Sequence, residues 1–388
     1  MRPFFLGAVA ACVAATTLSV VPVSAPKAQE IKLPPSLTIT AYDTGTSGFN
    51  IAVAVGKTFK DKQGTDLRVL PAGNDVARLQ PLRGGRAQFS SMGIGIYYAQ
   101  EAVFEFAVKE WGPQKLQLMY TSTDCNGAAL GVAKDTGVTQ LKDLKGKRLP
   151  IVVGSPALNQ NVFAALTFGG LTPNDVRLVE FSSFGAAWKG YINNEVDGAW
   201  ASTITGQARE AETSPRGLVW MPMPHNDKEG WARMLKQANF FAPHIGTCGA
   251  AGMSPQNPLE TATYPYPIFM VYDTQPLDLV YAITKAMIVN YPLYKDNAPG
   301  AAGMALDKQN LKWVIPYHPG AVKALKESGV WKADHDAYND ALIKRQNLLV
   351  ATWADFMKAN PAEATFRKDW MAFRAAALTK AGVDVIFE

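Results

Sequence analysis

Leu37-Thr38-Ile39-Thr40-Ala41-Tyr42-Asp43-Thr44-Gly45-Thr46-Ser47-Gly48 is the stretch from which the fold is read. Residues 37–41 alternate and are rich in β-branched side chains, as a short strand requires. Residues 43–48 form a glycine-containing turn, and residues 50–59 then place apolar side chains at helical spacing. The same strand, turn and helix recur downstream. Residues 67–70 read as a strand, followed by Gly73-Asn74-Asp75 and a helix carrying Val76 and Leu79, which Pro81 should end or kink near Leu82. Gln88-Phe89-Ser90 leads through Gly93 and Gly95 into a helix expected around residues 97–108.

The pattern restarts with a short helix and turn at residues 141–148 and a strand at 149–153. A loop (154–158), a helix (159–168), a strand (177–181), a helix (186–193) and a strand (197–201) follow, and residues 202–205 open another helix. This alternation predicts an α/β architecture with largely parallel sheets. Residues 222–256 have little periodicity and many Gly, Pro and Asn, so a long irregular excursion is expected there. Residues 268–272 read as a strand, and Pro276 as the first residue of a helix through Val289. Leu342, Leu349, Trp353 and Phe356 mark one closing helix, Trp370 and Phe373 a second. The sequence contains no internal repeat and no low-complexity tract.

Length and composition narrow the class. A chain of 388 residues is too long for one ordinary core, so two domains are expected. Arg2, the uncharged Ala-, Val- and Leu-rich residues 4–21 and the small-x-small sites Val23-Ser24-Ala25 and Pro26-Lys27-Ala28 read as a secretory signal peptide over residues 1–29. An uncleaved anchor is the rival reading, weakened by Thr16, Thr17, Ser19 and Pro22. Val9-Ala10-Ala11-Cys12 lacks the usual Leu of a lipoprotein site and sits too early. The net charge of +5 falls to +3 once Arg2 and Lys27 leave with the leader, and no Lys/Arg block suits a nucleic acid. Cys125 and Cys248 then remain, either as one disulfide in an oxidising compartment or as two buried thiols.

Four turns share one form, a strand end followed by Gly, Ser, Thr or Asn and a helix start: Thr44 to Gly48, Gly73-Asn74-Asp75, Gly154-Ser155-Pro156 and Ser202-Thr203. In open α/β sheets such turns converge beyond the carboxyl ends of the strands, where free N–H groups and helix dipoles favour an anion. Each turn taken alone is also what any strand-to-helix connection needs for its cap and bend. Catalytic motifs are missing: the sequence has no Gly-x-Ser-x-Gly elbow, no Gly-x-x-x-x-Gly-Lys loop and no complete dinucleotide fingerprint. His225, His244, His318 and His335 lack metal-ligand spacing, and Asp334-His335-Asp336 reads as a solvated face. Cys248 has no identifiable base beside it in Thr247-Cys248-Gly249. Neither a cofactor nor a metal is implied.

Several stretches, in order along the chain, resemble the solute receptors of tripartite ATP-independent periplasmic (TRAP) transporters, in particular the TAXI subfamily. They are residues 38–56 with Gly45-Thr46-Ser47-Gly48, then Leu82-Arg83-Gly84-Gly85-Arg86-Ala87-Gln88-Phe89. Asp143-Leu144-Lys145-Gly146-Lys147-Arg148 and Gly170-Leu171-Thr172-Pro173-Asn174-Asp175-Val176 follow. Asp278-Leu279-Val280-Tyr281-Ala282-Ile283-Thr284-Lys285-Ala286, the most specific, and Pro316-Tyr317-His318-Pro319-Gly320-Ala321 complete the series. The Asp-Leu-Lys-Gly-Lys phrase also occurs in ABC-type binding proteins of the same fold.

The resemblance implies a two-lobed periplasmic binding protein fold, type II-like, with two discontinuous α/β lobes joined by crossing strands and a ligand in the cleft between them. Residues 30–120 with 264–388 would form lobe I, including a C-terminal helical hairpin beyond about Trp331, and residues 121–263 lobe II. Tyr264-Pro265-Tyr266-Pro267 would be a stiff hinge-crossing strand, or else only a loop with restricted φ angles. The expected protein is a monomeric, non-catalytic periplasmic receptor that passes a small carboxylate to a TRAP-type membrane permease. An ABC-importer binding protein and a secreted enzyme or ligand-sensing domain are the alternatives.

Departures from the family pattern shape the expected site. Ser47-Gly48-Phe49-Asn50 stands where the family often has Gly-Gly-x-Tyr-Tyr, Arg78 where Asn is usual, Met92-Gly93-Ile94 where Gln and Ser are common, and Leu158-Asn159-Gln160 in place of a Ser-Gly-Thr type turn. The expected ligand is therefore a carboxylate with an apolar or aromatic body. Arg78 would hold the carboxylate bidentately, and Tyr42, Phe49, Tyr97, Trp188 and Trp200 would supply the apolar wall. Gly45, Thr46, Ser47, Asn74, Ser91, Met92, Ser155, Asn159 and Ser202 complete the candidate set.

Overall fold

The computed structural model describes Met1 and residues 31–387. The leader, both small-x-small sites and Cys12 lie outside the described residues. In chain order the first elements are β1 (Ser36–Ala41), α1 (Ser47–Gln63), β2 (Asp66–Pro71), α2 (Asp75–Arg83), β3 (Phe89–Met92), α3 (Gly95–Glu101) and β4 (Leu116–Thr121). Next come β5 (Ala128–Val132), β6 (Arg148–Val152), α4 (Pro156–Phe168), β7 (Arg177–Phe181), α5 (Phe184–Ile192), β8 (Gly198–Ser202) and α6 (Gly206–Thr213). Then β9 (Val219–Trp220), α7 (Lys228–Gln237), β10 (Ala242–Gly246), β11 (Leu259–Thr263) and β12 (Ile268–Tyr272) follow. The chain closes with α8 (Leu277–Val289), α9 (Tyr291–Tyr294), α10 (Pro319–Glu327), α11 (Ala333–Lys358) and α12 (Phe366–Lys380).

Two larger sheets organise these elements. The first has the order β2-β1-β3-β12-β4, with β1 parallel to β2 and β3, and β12 antiparallel to β3 and β4. The second has the order β10-β11-β5-β8 with β9 also on β5, and all of its pairings are antiparallel. β6 and β7 form a separate parallel pair. The expectation of largely parallel sheets fails in the second sheet. Between β5 and β8 the chain makes the excursion β6-α4-β7-α5, so the two strands meet without a direct crossover between them. Alternating signals fix element types, not the direction in which a strand returns.

Residues 222–256 are more regular than their composition predicts. Trp231 and Met234 are the buried face of α7, Asp227 caps it by accepting from Gly230 N, and β10 carries Pro243 at the sheet edge. Proline is tolerated on an edge strand, which hides this one from a sequence scan. The helix expected at residues 97–108 is shorter: α3 stops at Glu101, and Ala102 turns left-handed at φ 51°. There the C-terminal helices arrive, with Trp370 Nε1 donating to Ala102 O at 2.7 Å. Pro81 lies inside α2, which ends two residues later at Arg83.

One apolar cluster runs through both larger sheets, joining Ile39, Phe89, Leu118 and Phe269 to Leu130, Trp200 and Ala262. Burying each such large side chain contributes about 1.5–3 kcal/mol. A second cluster gathers Phe184, Trp188, Tyr191 and Trp220, and a third packs Phe356, Phe366 and Trp370 of the C-terminal helices on Ala102 and Ala107. Beneath the third, Glu101 is fully buried and paired with Arg345 (Nε–Oε1 2.7 Å, Nη2–Oε2 2.8 Å) and with Arg374. Burial favours the neutral acid, but the two guanidinium groups outweigh it and hold the Glu101 carboxyl below the usual range.

Cys125 and Cys248 are joined, with Cα atoms 5.4 Å apart. The bridge ties the segment leaving β4 to the loop after β10, where Thr247 N also donates to Cys125 O at 2.8 Å. Replacing both cysteines by serine is expected to cost about 2–5 kcal/mol in chemical denaturation. A loss below about 1 kcal/mol would show that the surrounding hydrogen bonds hold this segment unaided.

His318 caps α10: its Nδ1 accepts from Gly320 N at 3.1 Å, leaving Nε2–H to face Gln275 O at 3.2 Å. Burial lowers its pKa from the ordinary 6.5. A depressed imidazole contributes stability above 6.5 that is lost as pH falls through the folded-state pKa. Melting curves from pH 8 to 5 should therefore fall more steeply for wild type than for His318→Asn, which keeps a cap and removes the titration. Parallel curves would exclude the histidine as the cause.

Candidate ligand-binding cleft

The helices that start beyond β1, β2, β6, β7 and β8 bring their N-termini together between the two larger sheets, and each has at least one first-turn donor taken by a protein group. Thr46 Oγ accepts from Phe49 N (3.3 Å), Asn74 Oδ1 from Ala77 N (2.8 Å), Ser183 Oγ from Ala186 N (3.0 Å) and Thr205 Oγ from Ala208 N (3.4 Å). α4 is served from the opposite side: Asp75 Oδ2 accepts from Ala157 N at 2.8 Å and from Ser155 Oγ at 3.2 Å. α5 likewise receives Asp43, whose Oδ2 accepts from Gly185 N at 2.8 Å. A carboxylate is the group that a helix N-terminus stabilises best.

Backbone contacts complete this seam. Val76 N donates to Gly154 O (3.1 Å), Phe184 N to Gly73 O (3.1 Å) and Gly206 N to Gly45 O (3.0 Å). Gly73 permits the approach, since a Cβ there would lie 2.3 Å from Ser183 Cβ.

Inside the seam lies a cavity of about 40 Å³. Its apolar wall is Tyr42, Leu158, Phe184, Trp200, Tyr264 and Tyr266, with Ala128 and Ala201. Thr46, Asn126, Asn161, Ser202, Thr205 and Thr263 supply polar atoms. Among the described residues, none that lines the cavity is charged. Asn126 Nδ2 donates to Ser202 Oγ at 2.8 Å, whereas Asn161 Oδ1 is buried without a hydrogen-bond partner among the described residues. Burial pushes the hydroxyls of Tyr42, Tyr264 and Tyr266 upward, so all three stay protonated at neutral pH and can donate.

Of the residues expected from the sequence, Tyr42, Thr46, Trp200 and Ser202 line this cavity. Gly45, Asn74 and Ser155 sit on the seam around it. Ser47 is buried in the first turn of α1, and Phe49, in the same turn, is half-buried outside the lining. Ser91 Oγ donates to Gly48 O at 2.9 Å, and Met92 is core. Tyr97 lies against Phe387 and Trp188 against Tyr191 and Trp220, all away from the cavity. Asn159 braces its own loop through Val152 N (2.8 Å) and reaches Glu105 at 3.4 Å.

Arg78 departs most from expectation. Its side chain is fully buried, pairs with Asp75, donates to Ala72 O at 2.7 Å and lies over the Tyr42 ring, 3.4 Å from the centroid. It is outside the lining, and the guanidinium expected to hold a ligand carboxylate holds a protein one. Sequence reasoning also missed Asn126, Leu158, Asn161, Phe184, Thr205, Tyr264 and Tyr266. Four of these, in two pairs, left a signal: Leu158 and Asn161 share a helix face at i and i+3, and Tyr264 and Tyr266 share a face of an extended segment.

Among the described residues, no His, Cys, Asp and Glu cluster could hold a metal ion, and no helix is long and apolar enough to cross a membrane. Solved structures with a similar course include an ancestral arginine-binding protein bound to arginine (15% identity, 68% of this chain and 97% of that one, TM-score 0.41). The alkanesulfonate-binding protein of Xanthomonas axonopodis pv. citri bound to MOPS is another (14% identity, 92% and 96%, TM-score 0.39). A third is an ABC transporter periplasmic binding protein from Brucella ovis with glutathione bound (12% identity, 68% and 73%, TM-score 0.42). Residues 39–329, well over half of the chain, match the profile of the NMT1-like family. With helix N-termini gathered round a cavity between two α/β sheets, and with that match, the chain belongs to the NMT1-like family, a family of the periplasmic binding protein type.

Proposed function

We propose that the chain is a non-catalytic periplasmic receptor that encloses one small molecule and delivers it to a TRAP-type membrane permease. Residues 30–120 with 264–388 act as one lobe and residues 121–263 as the other. The observation that carries the reading is the cavity itself, walled by aromatic rings and bounded by hydrogen bonds from helix N-termini on both sides. Such a site suits hinge closure, in which the ligand's extra contacts shift the population toward the closed form. The TRAP assignment rests on the ordered resemblance from residues 38–56 to Pro316-Tyr317-His318-Pro319-Gly320-Ala321. Of the two features expected of the ligand, a carboxylate and an apolar or aromatic body, the lining supports the second.

Native mass spectrometry of the mature protein, with denaturing release of whatever is bound, tests the receptor. One small molecule per chain is the expected result. An empty chain that gains no thermal stability from a broad panel of small organic molecules would overturn it. Uptake of the released molecule with a TRAP permease encoded beside this gene tests the partner, and uptake requiring an ATP-hydrolysing importer instead would replace it.

A further inference from the structure

We propose that the cleft takes an uncharged ligand, one that presents an N–H or O–H donor to Asn161 and an apolar or aromatic body to the surrounding rings. The inference rests on the receptor reading above and names its ligand class. Three observations carry it. First, two of the positive helix ends that would receive an anion already hold a protein carboxylate, α4 Asp75 and α5 Asp43, while α1 and α6 at the cavity are capped by the hydroxyls of Thr46 and Thr205. Second, Arg78 is spent on Asp75, so the cleft offers an anion no free cation among its lining residues. A cation fares no better: Asp75 is taken up by Arg78, Ala157 N and Ser155, and Asp43 is bonded to Gly185 N. A charge of either sign would be stripped of water with no opposite charge among the lining residues to meet it.

Third, Asn161 is 2% exposed and lines the cavity with its amide beside the Tyr264 hydroxyl, and its Oδ1 accepts no hydrogen bond among the described residues. A buried amide oxygen left unbonded is costly, and a ligand donor satisfies it. The rings of Tyr42, Tyr264 and Tyr266, with Phe184 and Trp200, supply the contact for the body. The ligand thus completes one hydrogen bond and an aromatic enclosure, while the protein supplies both carboxylates.

The test combines the released molecule with calorimetry on the stripped full-length protein. The probes are matched sets: acetamide, propionamide and benzamide, each against its carboxylate and its corresponding alkyl- or benzylammonium ion. The expected result is an uncharged released molecule and, in each set that binds, the amide at least about 100-fold tighter than either ion. Asn161→Ala should weaken the amide about 10-fold and leave the ions unaffected. A released molecule bearing a charge, or a carboxylate or ammonium probe that outbinds its amide, overturns the inference and leaves the receptor standing. A chain that releases nothing and binds no probe overturns both.

Discussion

Glu101→Gln is expected to destabilise the protein by about 3–5 kcal/mol, because it leaves two buried guanidinium groups without their counter-charge. Glu101 and Arg374 are fully buried and Arg345 nearly so. Three elements distant in sequence meet at this carboxylate: α3 brings Glu101, α11 brings Arg345 and α12 brings Arg374. Arg374 already has Nε and Nη1 without partners among the described residues, so Glu101 is its remaining compensation. The first structure lost should be the docking of the C-terminal helices, readable as hydrogen exchange rising in α11 and α12 before the sheets. The same three-residue cluster should make the protein acid-sensitive. A carboxyl held below its ordinary 4.5 contributes stability above that value and loses it as pH falls through the folded-state pKa. Denaturant titration of wild type and variant checks the magnitude. A loss under about 1 kcal/mol would mean that water reaches the site and solvates both arginines.

Asp75→Ala should have the second large effect, and one that can be reversed from solution. It strips Arg78 of its partner and Ala157 N and Ser155 Oγ of their acceptor, a loss of about 3–5 kcal/mol. It also leaves a space shaped like a carboxylate at the start of α4. Formate or acetate should fill it, restoring about 2.7 kcal/mol at one hundred times its dissociation constant, while wild type gains nothing. A variant indifferent to both anions would show that Asp75 acts through its fixed position and not as an occupant of an anion site.

The elements were largely readable because each carries a local cause. Thr46, Asn74 and Thr205 cap the helices that their turns announced, and Gly64 ends α1 at φ 70°. What local pattern cannot encode is which partner a strand finds. The antiparallel course of β5 against β8, separated by the whole β6-to-α5 excursion, belongs to that class. α7 escaped notice because Gly, Pro and Asn flank a helix only ten residues long. In the cleft, membership is tertiary. Asn161 and Tyr264 are ordinary residues until α4 and the segment before β12 converge. Arg78 is different, for its fate was legible: Asp75 lies three residues earlier on the same helix face, the spacing at which opposite charges meet.

The seam of Asp43 and Asp75 on the N-termini of α5 and α4 also bears on kinetics. Every bond in it joins protein to protein, so under hinge closure as proposed part of the drive to shut would be present before any solute arrives. Under the proposed receptor reading, an empty molecule then spends time shut, and solute is admitted only during the open fraction, which lowers the apparent affinity by that fraction. Once admitted, solute leaves no faster than the seam parts. The dwell time would then be set by two aspartates that never touch the cargo, and a membrane partner would have to break those bonds to unload it.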